Sequence, residues 1–80
     1  MKHQTTQEQR NVIGHKIRKA RLESKIKISQ DDLAGKLARQ GIQMDRSAIS
    51  RIESRTRYLM DYEIVAIAEA LKKPVAWFFE

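Results

Sequence analysis

Hydrophobic residues recur along this chain at helical rather than strand spacing. Ile13, Ile17 and Ala20 form an i, i+4, i+7 series, which predicts an amphipathic helix over about residues 9–24. The chain contains no sustained alternation of polar and apolar positions and no Asn-Gly or Asp-Gly hairpin turn, so no strands are expected. The pattern therefore predicts an all-α protein.

Three further segments repeat this helical spacing. Helix two is predicted over about residues 30–40, helix three from a cap at Asp45 to about Ser54, and helix four over about residues 61–72. Their predicted core positions are Leu33, Ala34, Leu37 and Ala38 in helix two, Ile49 and Ile52 in helix three, and Ile64, Ile67, Ala68 and Leu71 in helix four.

Residues that start or stop helices separate these segments. Residues 29–32 resemble a capping box, and Gly41 is placed to end helix two in the left-handed conformation. Gly35 indicates either close packing or a weakened helix. The short connector of residues 25–28 is expected to turn its two isoleucines inward. Residues 74–79, which begin with proline, predict a short fifth helix, in which Phe78 shares a face with Val75.

Length and charge narrow the class of protein. Eighty residues allow one domain, here residues 9–80, preceded by a flexible polar tail of residues 1–8. The tail has no apolar signal-peptide segment and the chain no membrane-length apolar run, so a cytoplasmic protein without a membrane association is expected.

The net charge of +6 indicates an anionic partner, most often nucleic acid or an anionic membrane surface. Four of the eight arginines lie within residues 46–57.

Helix three has two chemically distinct faces. At about 100° per residue, Ile49 and Ile52 point to one side, and Glu53 lies with them, where a carboxylate requires a cationic partner. The opposite face carries hydrogen-bonding and cationic side chains, which is typical of a helix that reads DNA. These are Arg46, Ser47, Ser50 and Arg51.

Four segments of the chain together resemble the Xre/Cro family of phage-repressor-type DNA-binding domains, over roughly residues 12–79. They are Ile13-x3-Ile17-x2-Ala20-Arg21, Ser29-Gln30-x2-Leu33-Ala34, Arg46-Ser47-Ala48-Ile49-Ser50-Arg51-Ile52-Glu53 and Ile64-x2-Ile67-Ala68-x2-Leu71. The resemblance implies a compact five-helix, lambda-repressor-like fold in which helices two and three form a helix-turn-helix.

The resemblance also implies roles for individual residues. Base-reading positions would be Arg46, Ser47, Ala48, Ser50 and Arg51, with Ala48 short enough to approach a thymine methyl. Contacts to DNA phosphate would come from Ser29 and Gln30 at the start of helix two, and from Arg55, Thr56 and Arg57 after helix three. Arg21 and Glu53 would form a structural ion pair. No catalytic or metal-binding residue is implied.

The sequence departs from the family pattern in two ways. The links from Arg21 to Gln30 and from Leu33 to Ile49 are longer than usual. The second link joins helices two and three and therefore affects how helix three sits in the DNA groove. Arg55 and Lys72 stand where the family usually has glycine. At both positions the left-handed conformation, which glycine adopts easily, therefore becomes costly.

The function implied is a sequence-specific, double-stranded-DNA-binding transcriptional regulator, a repressor, that binds as a homodimer with helix three of each copy in the major groove. One alternative is an antitoxin or other protein-interaction module that binds DNA only for autoregulation. It would leave an apolar surface exposed, for which Trp77 with Tyr58 or Tyr62 is the candidate. A third is an architectural protein that binds DNA by charge alone.

Enzymatic chemistry has little support in the sequence. The two histidines, His3 and His15, lie in the tail and on a basic helix, and no pattern places them near a nucleophile or paired carboxylates. Without cysteine they make a poor metal site. No enzyme activity, cofactor or metal is therefore expected.

Overall fold

The computed structural model describes residues 9–80, which contain four α-helices and a final 3-10 segment. The helices are α1 (Gly14–Glu23), α2 (Gln30–Ala38), α3 (Arg46–Glu53) and α4 (Asp61–Leu71), and the 3-10 segment is Val75–Phe79. No residue of this range forms a strand, as the hydrophobic spacing predicts. The predicted tail, residues 1–8, lies outside the described residues.

The prediction of a fifth α-helix is wrong, because residues 75–79 form a 3-10 segment instead. The amide of Trp77 donates to the carbonyl of Pro74, three residues earlier, at 3.0 Å, which is the 3-10 pattern. The segment follows a left-handed residue, Lys72, and spans only five residues. Such short segments commonly adopt the tighter 3-10 winding.

The first helix begins later than the spacing predicts, because Asn11 caps it from outside. The Oδ1 of Asn11 accepts hydrogen bonds from the amides of Ile13 at 3.1 Å and Gly14 at 2.7 Å. Its Nδ2 donates to the carbonyls of Ile52 at 3.0 Å and Arg57 at 2.8 Å. One amide side chain therefore joins the start of α1 to the end of α3.

The core lies where the four helices meet. Its largest fully buried side chains are Phe78, Ile13, Ile17, Leu33, Leu37, Ile49, Ile52 and Ile67. Two expectations about the core fail: Ala38 is exposed, and Ile26 is 82% exposed. Of the connector's two isoleucines, Ile28 alone packs against the core.

Three left-handed residues end the helices and set their directions. Gly41 has φ 80° after α2, as predicted, Arg55 has φ 68° after α3, and Lys72 has φ 58° after α4. At Arg55 and Lys72 the amides that follow each helix return to carbonyls of its last turn, which is the Schellman arrangement. It ends α3 abruptly and directs the chain toward α4.

Replacing Gly35 with alanine is expected to stabilise the protein. A Cβ built on Gly35 meets nothing within 4 Å, so close packing does not explain this glycine. Alanine in a helix interior is more favourable than glycine by about 0.5–1 kcal/mol. Thermal unfolding should therefore show a rise of a few degrees, and an unchanged or lower Tm would contradict this interpretation.

Candidate nucleic-acid interface

The outer face of α3 carries four exposed polar side chains. Arg46, Ser47, Ser50 and Arg51 are all exposed, and the helix begins at the capping residue Asp45. The Nη1 of Arg51 donates to the Ser47 hydroxyl one turn earlier at 2.8 Å. This bond orients the guanidinium along the helix and leaves its remaining N–H groups free to donate to another acceptor.

Ala48 does not join this outer face. Its exposure is 8%, and it lies in a shallow hollow with Gln43 and Met44 beside the helix start. Its amide donates to the Asp45 carboxylate at 2.8 Å. The structure therefore brings together four of the five predicted base-reading residues and places the fifth on the inner side.

Glu53 is held on the inner side of α3 by a buried, two-point contact with Arg21. The Nε of Arg21 donates to Oε2 at 2.6 Å and its Nη2 to Oε1 at 2.8 Å, and the two side chains are 8% and 5% exposed. The hydrogen bond to Glu53 raises the pKa of Arg21, and burial opposes this effect. The Nη1 of Arg21 donates to the Ile28 carbonyl at 2.8 Å, so the guanidinium joins α1, α3 and the connector.

Gln30 takes part in the same network. Its Nε2 donates to Oε1 of Glu53 at 3.1 Å, which fixes the first residue of α2 against the last residue of α3. The side chain of Gln30, a predicted phosphate contact, is therefore already oriented by a carboxylate. The backbone amide of Gln30, in the first turn of α2, has no acceptor within the helix.

Ser29 caps α2 through a capping box, as its spacing predicts. Its hydroxyl accepts from the Asp32 amide at 2.9 Å, and its amide donates to the Asp32 carboxylate at 3.0 Å. Its hydroxyl hydrogen remains available for donation. The hydrogen bond from the Ser29 amide lowers the pKa of Asp32, so this end of α2 carries a fixed carboxylate at neutral pH.

The three residues after α3 differ in what they already contact. Thr56 closes the helix, since its amide and hydroxyl both donate to the Arg51 carbonyl, at 2.9 and 3.2 Å. The Nη1 of Arg57 lies 3.4 Å from Oε1 of Glu63 and 3.1 Å from the Tyr58 carbonyl. Arg55 forms no ion pair among residues 9–80. Of the two arginines, Arg55 is thus the one left without a carboxylate partner.

Three structural residues were not anticipated by the sequence reasoning. Glu63 is 7% exposed and accepts from the Met60 amide at 2.9 Å at the start of α4. Gln40 donates to the Ala66 carbonyl at 3.0 Å and joins α2 to α4. Asn11, described above, is the third. Capping-type residue identity was the available signal for Asn11 and Glu63.

The aromatic side chains named as an interface differ in accessibility. Trp77 is partly buried, packs edge-on against Phe78, and has the Lys16 and Lys73 ammonium groups 4.0 and 4.6 Å from its ring centroid. By contrast, Tyr58 and Tyr62 are 63% and 61% exposed. Lysine side chains thus cover much of the Trp77 ring, while both tyrosines face outward.

Comparison with known families agrees with this geometry. A family profile described as helix-turn-helix matches residues 17–78, well over half of the chain. The chain belongs to this Xre/Cro-like helix-turn-helix family, whose members are DNA-binding regulators. Searches against curated proteins and against solved structures gave no match. In the described part of the chain, no helix has the length and apolar character needed to cross a membrane.

Proposed function

We propose that this protein is a sequence-specific, double-stranded-DNA-binding transcriptional regulator that represses by occupying an operator. In this proposal α3 enters the major groove, and two copies bind inverted half-sites about 34–36 Å apart. The protein acts in the cytoplasm and uses no cofactor.

One observation carries the proposal: α3 is fixed on one side and chemically open on the other. Ile49 and Ile52 are each 1% exposed, and Glu53 is bound to Arg21. The exposed side carries two arginines and two serines. Arginine donates to both O6 and N7 of guanine, and such a contact contributes about 1–3 kcal/mol of discrimination.

Contacts to phosphate would flank this helix. We assign them to the Ser29 hydroxyl and the backbone amide of Gln30 at the start of α2, and to Arg55 and Thr56 after α3. We assign Arg57 a weaker contact to phosphate, because Glu63 already offsets part of its charge. We assign no contact with bases to Ala48, because it is only 8% exposed.

Selection of bound duplexes from a random pool tests this function. The proposal expects an inverted-repeat consensus, because a symmetric dimer reads the same half-site twice. Recovery of duplexes without any consensus, together with a steep salt dependence, would contradict it and favour an architectural protein that binds by charge.

Replacing Arg55 with glycine is expected to raise stability while weakening DNA binding. Glycine removes the cost of about 1–2 kcal/mol for a left-handed L-residue, and loss of one phosphate contact should flatten the salt dependence by about one unit. Lys72→Gly is the matched control, because it relieves the same backbone conformation at the end of α4. Thermal melts and salt titrations should show both variants stabilised and Arg55→Gly alone weakened on DNA, and equal effects on binding would contradict the assignment.

A second candidate function is an antitoxin or protein-interaction module with autoregulatory DNA binding. The exposure of Tyr58 and Tyr62, together with Met60 at 56% and Val65 at 55%, favours it. It predicts that replacing Tyr62 with serine abolishes binding of a protein partner and leaves the selected DNA consensus unchanged.

A further inference from the structure

An open groove of about 570 Å³ lies outside the interface formed by α3. Its walls are the connector between α1 and α2, one face of α2, and the end of α4. Its volume falls within the range of about 300–1,000 Å³ typical of ligand sites. No residue of α3 lines it.

The groove is strongly basic. Five cationic side chains line it: Lys25, Lys27, Lys36, Arg39 and Lys72. The ion pairs formed within residues 9–80 are Arg21 with Glu53 and Arg57 with Glu63, so none of these five cations is ion-paired there, although the charge of Lys36 acts on the Asp32 carboxylate one turn earlier. The one acidic residue in the lining is Asp32, whose carboxylate accepts the Ser29 amide.

The groove also contains apolar surface, which bears on the nature of its ligand. Ile26 is 82% exposed at the connector, and Ile28, Ala70 and Leu71 complete the apolar lining. Phosphate groups gain nothing from exposed isoleucine, whereas a peptide with alternating acidic and apolar side chains satisfies both kinds of surface. An open groove with its charges spread along three elements suits an extended chain better than a small enclosed anion.

The position of the groove separates it from the base-reading helix. Asp32 and Lys36, at i and i+4 on α2, lie on the same face as Arg39 at i+7, the residue that follows the helix. The alternate positions Leu33 and Leu37 are buried in the core. The outer face of α3 therefore contributes nothing to the groove.

We propose that this groove binds an acidic peptide segment of a partner protein, with carboxylates on the lysines and Arg39 and apolar side chains on Ile26. This site is separate from α3 but borders Ser29, whose amide donates to the Asp32 carboxylate in the groove lining. Binding here would bring a partner to the protein without displacing α3 from DNA.

The test uses a fluorescein-labelled short peptide of alternating glutamate and leucine, with its Kd measured by anisotropy. The double variant Lys36→Gln/Lys72→Gln should weaken binding about tenfold or more. Arg18→Gln/Lys19→Gln removes the same charge from the exposed side of α1 and should change Kd by less than about twofold. Ile26→Ser should also weaken binding. Thermal melts check that each variant is folded.

Amide chemical-shift mapping locates the peptide. The proposal predicts shifts confined to residues 24–28, 36–39 and 70–72. Shifts centred on α3 and Arg55 would show that the acidic peptide binds at the proposed DNA interface instead of the groove, and would overturn the proposal. Equal weakening by both double variants, or equal binding of a glutamine-leucine or a glutamate-serine peptide, would overturn it as well.

Discussion

Replacing Glu53 with alanine is expected to lower the stability of the protein by about 3–5 kcal/mol, because it leaves the buried Arg21 guanidinium without its carboxylate. Arg21 is 6% exposed, so water cannot replace the lost acceptor without structural change. Gln30 loses its acceptor in the same step. For a domain of this size the loss corresponds to about 15 °C or more in Tm, measured by thermal unfolding.

Two controls separate the buried ion pair from a general effect of charge. Glu69→Ala removes an exposed carboxylate from α4 and should change stability by less than about 0.5 kcal/mol. Arg21→Met/Glu53→Leu replaces both partners with apolar groups and should recover much of the loss, because no unpaired charge remains. A wild-type Tm for Glu53→Ala would show that the pair does not hold α3 in place.

Replacing Gly14 with alanine is expected to destabilise the protein by about 3 kcal/mol or more. A Cβ at this position would overlap the carbonyl oxygen of Ile52, and would meet the Arg55 Cγ at 2.9 Å and the Glu53 carbonyl oxygen at 3.0 Å. Two of these three atoms belong to the backbone at the end of α3 and cannot move as a flexible side chain would. Helices α1 and α3 must therefore separate, which costs more than ordinary overpacking of a core.

Gly35→Ala is the matched control, since the same methyl group is added to a helix but faces open space. The two variants should change the free energy of unfolding in opposite directions in denaturant titrations. The Gly14 variant should also bind DNA more weakly, because the start of α1 supports the end of α3. Equal stability of the two variants would contradict the close approach of α1 to α3.

Local signals in the sequence predicted most of the helices correctly. The Ser29 and Asp45 caps and the Gly41 stop act through neighbouring residues, so the bounds of α3 and the start of α2 could be read from the chain. The start of α1 was predicted too early, although Asn11 caps it locally by accepting from the amides of Ile13 and Gly14. The carbonyls to which the Asn11 side chain donates lie 41 and 46 residues away. A local pattern carries no information about such partners.

The candidate site likewise combines features that local patterns predict with contacts between residues far apart in the chain. Exposure of Arg46, Ser47, Ser50 and Arg51 follows from helical periodicity alone. Periodicity also places Ala48 on the inner side, since it lies four residues before the buried Ile52. The pairing of Arg21 with Glu53 spans 32 residues, and family resemblance supplied it. Neither signal indicated that Arg57 contacts Glu63.

The most direct test of the account measures the affinity of wild-type protein and Arg46→Ala for the selected duplex and for variants with each base pair changed singly. The account predicts that wild-type protein discriminates at the position read by Arg46 by about 1–3 kcal/mol. Arg46→Ala should lose that discrimination and keep the preferences at all other positions. A uniform loss of affinity at every position, or an unchanged profile, would contradict base reading by the outer face of α3.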